Sequence, residues 1–467
     1  MAAQRERMTP AELRASMSLA AIYALRLLGM FVILPVFAIY AEKLPGGNNL
    51  TLVGMAIGAY GLTQAILQIP YGWWSDRFGR KPVIYAGLAL FAAGSFVAAA
   101  ASHIYIVIAG RVLQGAGAIS AAVMALAADL TREEHRTKAM AMIGSTIGLA
   151  FALSLVASPW LNGLIGVPGL FAMTGFLALA AIGVVWRIVP NVLATQKAVR
   201  GAGLREFWGA LRDPQLARLN YGIFVLHAML MALFIVVPFA LRDAGLPVSQ
   251  HWKVYLPVML GSFVLMIPAV MSQGNAHRAK RFFVAAVVLI AVAHAVLPWL
   301  TGSVTKIAIF LLLFFTPFNT LEAMLPSLTS RMAPIQSKGV AIGVYSSVQF
   351  LGTFFGAAVG GFLYSHWALH GVVIGDVVLV VIWIVVAAGM KLPGALSART
   401  YTVPRLDASQ AERLAEQLRA VPGVREVRVV TGESTAYLKV DSTRFDEHNV
   451  LQIIAGQGEL KWPQSTR

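Results

Sequence analysis

Residues 72–82, GWWSDRFGRKP, lie between two long apolar segments and pack one acid and three bases into a tight polar turn. Gly72, Asp76, Arg77, Gly79, Arg80 and Lys81 spell the pattern G-x-x-x-D-R-x-G-R-K. The apolar flanks decide the fold class. Runs of about 18–25 apolar residues recur along nearly the whole chain, each long enough to cross roughly 30 Å of hydrocarbon. Of the 467 residues, 58% are hydrophobic and 12% charged, and the mean hydropathy is +0.71. Soluble domains carry about 25% charged residues. The bulk of the chain therefore reads as an all-α polytopic membrane protein.

A net charge of +16 would suit a nucleic-acid partner if the bases were clustered. They are instead spread over short loops between apolar spans, as the positive-inside rule requires, so no nucleic acid is expected. There are no cysteines, which excludes disulfides, thiol chemistry and Cys-based metal sites. Nothing in the sequence calls for a cofactor. The charged N-terminus leads into a full-length span without a small-residue cleavage pattern, and reads as an uncleaved signal anchor.

Twelve spans are expected, at roughly 15–41, 50–74, 82–101, 103–128, 137–160, 168–189, 217–241, 252–273, 282–300, 305–330, 338–364 and 369–391. The loops at 77–81, 132–138, 187–218, 278–281 and 331–338 hold most of the Lys and Arg, and those at 160–168 and 365–370 almost none. Both termini and the long 190–216 loop are therefore expected in the cytoplasm. The loop at 191–216 divides the chain into halves, 1–190 and 217–391, that echo one another. KAMAMIG (138–144) is matched by KGVAIG (338–343), MFVILP (30–35) by LFIVVP (233–238), and Ile69-Pro70 precedes Arg80 as Ile267-Pro268 precedes Arg278. Repeats of this kind build two rigid halves around a midplane site.

After a linker at 392–399 the chemistry changes. Residues 400–467 read strand 400–405, helix 408–420, strand 424–430, strand 435–440, helix 446–455 and a short strand 459–462. The order βαββαβ is that of a small ferredoxin-like α+β domain. It resembles heavy-metal-associated domains, but their Cys-x-x-Cys is missing, so no metal is expected.

Several polar residues lie where burial is expensive. Asp76 and Asp129 each sit near the C-terminal end of a helix, where the dipole disfavours an acid. Arg80, one turn beyond Asp76, is the nearest compensation for both. Arg111 lies several residues into span 4, and such a charge should face a cavity or a partner. Arg26 is about ten residues into span 1, roughly 15 Å deep. Gln64 and Gln68, four apart, share one face of span 2. These residues are expected to line the N-half of a central cavity. In the C-half, His227 and Glu322 are the intramembrane titratable groups that stand out. Burial of a carboxyl favours its neutral form, which suits Glu322 to carrying a proton, and histidine titrates in the same range. Asn319 and Gln349 are expected to supply hydrogen bonds nearby. Gly115, Gly117, Gly144 and Gly148 read as helix-packing positions.

The Gly72–Lys81 string resembles the cytoplasmic signature between spans 2 and 3 of the major facilitator superfamily. RVLQGAGA (111–118) resembles that family's second signature, R-x-x-Q-G-x-G-A, matched at Arg111, Gln114, Gly115 and Gly117. The resemblance covers nearly the whole chain. It implies a secondary transporter of two six-helix halves, a monomer in a bacterial inner membrane, with a small molecule and protons as its partners. It also implies that Asp76, Arg80 and Asp129 form a cytoplasmic charge cluster, that Asp76 meets the start of span 11 near 337–339, and that Arg111 is linked to proton coupling. His294 and Asp376 rank lower, because spans 9 and 12 lie outside the cavity in that family. Span 5 departs from the drug–proton antiporters: Ala157-Ser158-Pro159 stands where they carry G-P-x-x-G-G, and Arg26 stands near their span 1 acid.

The reading is a proton-coupled antiporter that exports a small molecule, and not an enzyme; for the C-terminal domain, regulation of transport, binding of a partner and stabilisation of the fold all stay open. One rival is uptake or exchange of an organic anion, favoured by Arg26 and Arg111. Another is a non-transporting membrane sensor or scaffold.

Overall fold

The computed structural model describes residues 8–190, 204–272, 276–334, 338–390, 396–404, 406–429, 435–441 and 444–456. Helices α1 (Pro10–Phe31) and α2 (Leu34–Ala41) form the first crossing, interrupted where Pro35 removes an amide and crowds the preceding turn. The next crossings are α3 (Leu50–Phe78) and α4 (Arg80–Ala99). Helices α5 (Ile104–Ala116) and α6 (Ser120–Asp129) make the fourth, broken at Gly117. Helix α7 (Glu133–Arg187) is 55 residues long and crosses twice, turning at Gly166 with φ +67°. The C-half follows α8 (Leu204–Arg212) with α9 (Pro214–Asp243), α10 (Trp252–Met271), α11 (Ala276–Val296), α12 (Val304–Met332) and α13 (Lys338–Ala388). Helix α13 also crosses twice, breaking at Trp367 and Ala368. Among the described residues the helices are long and apolar enough for twelve crossings, the number expected from hydropathy.

Gly79 explains one letter of the opening motif. It ends α3 and starts α4 with φ +93°, a conformation open to glycine at little cost. The α3 and α4 crossings therefore turn back on each other within one residue.

The halves meet most tightly along α3 and α13. Gly58 and Gly61 face Phe354 and Phe350, where an added Cβ would come within 2.9 and 2.7 Å of the two carbonyl oxygens. Gly54 and Gly361 are packed equally closely, against Ala357 and Leu50. Small residues let helix backbones approach where lipid removes the usual hydrophobic drive. At mid-depth Phe151 of α7 packs on Phe234 of α9 and on Phe315 and Phe318 of α12, with centroids 6.4, 5.8 and 5.9 Å away.

The C-terminal domain comprises β1 (Leu396–Thr402), α14 (Ala408–Arg419), β2 (Val424–Val429), β3 (Thr435–Asp441) and α15 (Glu447–Ala455). Its sheet has the order β1-β3-β2, with both pairs antiparallel. This is a split βαβ unit with β3 inserted between the parallel strands. Leu414, Leu418, Leu438, Val440, Val450 and Ile454 form its core. Asp407 caps α14 through a capping box, and the amide of Gln410 holds its carboxyl below the usual range. Strand β1 begins at Leu396 rather than 400, because pairing with β3 continues to Asp441. The strand expected at 459–462 lies outside the described residues. The inter-half loop, expected at 191–216, contains α8, which folds because Phe207 and Ala210 find a cover on Ala333, Ala341 and Val344.

Candidate functional site

The turns at 79 and 130–132, the end of α12 and the start of α13 share one end of the bundle, the basic end. There Arg80 ties three segments together. Its Nε donates to Asp129 Oδ2 at 3.0 Å, and its Nη1 donates to Ser75 Oγ at 2.8 Å and to Asp76 Oδ1. One planar guanidinium thus compensates two carboxylates placed at negative helix ends. Gly72 faces α6, where an added Cβ would make only ordinary contact with Ala121 Cβ at 3.5 Å. The other two bases of the motif do not join. Arg77 lies over the rings of Trp73 and Phe78, at 5.7 and 5.6 Å, and Lys81 Nζ donates to the Val189 carbonyl at 2.6 Å. The Asp76 carboxylate is bonded within its own half. Ser337 of the expected cross-half contact lies outside the described residues, and Gly339 faces open space.

Deeper in the N-half, Arg26 donates to Ser120 Oγ and to Gln64 Oε1, and Gln64 Nε2 donates to Gln68 Oε1 at 2.6 Å. Arg111 belongs to a second network. It donates to Gln114 Oε1 at 2.8 Å, to the Gly29 carbonyl at 3.4 Å and to the Ile57 carbonyl at 3.3 Å. Gln114 Nε2 in turn donates to Ser95 Oγ at 2.7 Å. Tyr60 stands between the two, its ring centroid 4.9 Å from the Arg111 guanidinium and 5.9 Å from that of Arg26. Arg26 is 2% and Arg111 1% exposed. Both arginines are therefore buried, held through their terminal nitrogens by neighbouring side chains and carbonyls, while the Nε of each has no hydrogen-bond partner. Gly115 and Gly117 pack against Tyr60 and Gly87. Gly144 and Gly148 do not pack: nothing lies within 4 Å of either Cβ position.

In the C-half, Gln349 of α13 bridges the two titratable groups. Its Nε2 is 2.9 Å from His227 Nε2 and 3.3 Å from Glu322 Oε1, and His227 Nε2 is 3.9 Å from Glu322 Oε2. With the amide donating, the imidazole Nε2 acts as acceptor. Glu322 Oε2 has no hydrogen-bond partner, and the Glu322 side chain is 21% exposed against 4% for His227. Asn319 stays apart from this group. Its Nδ2 donates to Ser262 Oγ at 2.9 Å, joining α12 to α10. His294 and Asp376 form a buried pair at 3.3 Å between α11 and the second part of α13.

Among the residues in and around these networks that escaped the sequence reading are Tyr23, Tyr60, Ser75, Ser95, Ser120, Ser262 and Tyr345. Tyr23 lies within electrostatic reach of both Arg26 and Glu322, and Tyr345 lies within reach of Glu322. Spacing carried a signal for two of them, since Tyr23 is three residues before Arg26 and Tyr345 four before Gln349. Nothing local marks Ser120 or Ser262. At the far end of the bundle, Arg242 of α9 pairs with Glu42, just beyond α2, at 2.7 Å.

Residues 19–329 match the family described as Major Facilitator Superfamily, and residues 403–455 match the one described as YajR YAM domain. The chain is 42% identical to the "Inner membrane transport protein YajR" of Escherichia coli, over 96% of this chain and 98% of that one. It is 27% identical to the "Multidrug resistance protein MdtH" of Proteus mirabilis, over 71% of this chain and 82% of that one. Among solved structures, a bacterial homologue of the human lysosomal transporter Spinster superposes with a TM-score of 0.65 at 15% identity. That match covers 81% of this chain and 96% of that one.

Proposed function

The chain belongs to the Major Facilitator Superfamily, and on that premise we propose that this membrane transporter is a proton-coupled antiporter exporting a small molecule by alternating access. The observation that carries the reading is Glu322. It is a carboxyl embedded at mid-helix and partly exposed, its buried Oε2 without a hydrogen-bond partner and its Oε1 bridged to His227 through Gln349. A group so placed can bind a proton or a substrate, but both only at a cost, which is the competition that antiport needs. The membrane potential alone supplies about 2.3 kcal/mol per charge per 100 mV.

The Arg80 cluster serves in this reading as the latch at the basic end, which the positive-inside rule places in the cytoplasm. The name of the E. coli relative supports an inner-membrane location, and that of the P. mirabilis relative supports export. Gly144, Gly148, Gly339 and Gly343 all face open space at the basic end, whereas Gly54, Gly58 and Gly361 are tightly packed toward the far end. That contrast supports a basic end that stands open here, as an antiporter awaiting cytoplasmic substrate would.

Reconstituted protein tests the proposal, using compounds that raise its melting temperature in a binding screen. An imposed proton gradient should drive export, with alkalinisation of the compartment losing protons, and Glu322→Gln should abolish the pH dependence. A second reading, uptake or exchange of an organic anion, draws on Arg26 and Arg111, neither of which bonds a carboxylate among the described residues. Anion flux that survives Glu322→Gln and collapses on Arg26→Ala would favour it.

A further inference from the structure

The end of α12 and the start of α13 are held from two sides. On one side, Phe207 and Ala210 of α8 pack against Ala333, Ala341 and Val344. On the other stands the C-terminal domain. In β3, Ala436, Leu438 and Val440 enter the domain core, so strand alternation sends Tyr437 and Lys439 to the opposite, helix-free face of the sheet. Lys439 is nevertheless only 8% exposed. Its Nζ donates to the Ala333 carbonyl at 3.1 Å and approaches the Met332 carbonyl and Glu426 Oε1 at 3.4 Å each. Those two carbonyls end α12, where the helix leaves acceptors unpaired and its dipole is negative. A buried ammonium needs such partners. Lys439 also lies within electrostatic reach of Lys338, the first residue of α13.

We propose that Lys439 docks the C-terminal domain onto the α12–α13 corner, and that docking makes the basic end easier to close. Docking fixes the corner from which α13 starts, and it adds positive charge beside the positive end of that helix. This is the end that the Asp76 carboxylate would meet when the halves come together. Released, the corner loses both the restraint and the charge, and the open arrangement gains. The proposal rests on the alternating-access reading and assigns its regulation to one side chain. The Lys439 contacts tie the domain to the C-half, so it acts on one partner of the closing pair.

The chain has no cysteines, so Ser145→Cys in α7 and Met271→Cys in α10 give two spin-label sites at the basic end, one in each half. Pulsed electron-spin distances are measured on the full chain in lipid nanodiscs. The expected result is two distance populations, with Lys439→Met raising the long-to-short ratio at least about 5-fold. Lys439→Gln should shift it the same way, and Lys439→Arg should restore it. Amide exchange of β3 and α14 identifies any variant whose domain has unfolded, and the Gln variant then decides. Two populations with an unchanged ratio in the charge-removing variants overturn the docking role and leave alternating access standing. One fixed distance in every background overturns both.

Discussion

Arg242 Nη1 lies 2.7 Å from Glu42 Oε2, so an ion pair clasps the two halves at the end of the bundle opposite the Arg80 cluster. The two side chains are 38% and 42% exposed, and exposed pairs contribute no more than about 1 kcal/mol. We expect Glu42→Gln and Arg242→Gln each to favour opening of the far end. A double-mutant cycle should give a coupling below about 1 kcal/mol that shrinks in 1 M salt. Label distances across the far end would show it. A coupling indifferent to salt would mean that the pair is desolvated in solution and is not the weak clasp described.

The Arg80 cluster depends on a fork. Lysine offers a point charge and cannot span Asp76, Asp129 and Ser75 from one position. Arg80→Lys should therefore lower stability by about 1 kcal/mol, a value kept small by the partial exposure of the pairs. Arg77→Ala, which removes only ring contacts at the surface, should stay within about 0.5 kcal/mol. Thermal unfolding in detergent separates the two. Equal losses would mean that the motif acts through its total charge and not through the fork.

Hydropathy and the internal repeat made the crossings legible, because burial in lipid demands long apolar runs and little else produces them. Direction was harder to read. The depth of Arg26 and Arg111 follows from counting residues, but the partners that satisfy them, Ser120 and the Ile57 carbonyl, come from other helices. No periodicity within one helix reveals such partners. Glycines show the same limit. Gly54, Gly58 and Gly61 had small-residue spacing on α3 and carry the tight contact, while Gly144 and Gly148, read as packing residues, meet nothing. Composition tells where a helix can be approached closely. It does not tell whether the approach exists in a given state.

Arg111 gives a test of structure against coupling. Replacing it with methionine leaves Gln114 and the carbonyls of Gly29 and Ile57 without their donor. An unsatisfied buried group costs about 1–3 kcal/mol, so Arg111→Met should lose folding yield and melting temperature. Arg111→Lys should recover part of both, since one charge returns without the fork. A variant with normal melting temperature and a lost pH dependence of flux would assign Arg111 to proton coupling instead.

The glycines of the two ends should respond in opposite ways. A Cβ at Gly54 would meet the Ala357 carbonyl, which is backbone and cannot swing aside. Gly54→Ala must then spread α3 from α13, at about 1–3 kcal/mol for overpacking, and should lower the melting temperature. At Gly148 nothing lies within 4 Å, so Gly148→Leu should leave the melting temperature nearly unchanged. Closing the basic end would bring that face against the C-half, and a leucine there would obstruct it. We expect flux in proteoliposomes to fall several-fold in Gly148→Leu with stability intact. The reverse pattern, a stable Gly54→Ala and an unfolding Gly148→Leu, would place the tight contact between the halves at the basic end and remove the basis for calling that end open.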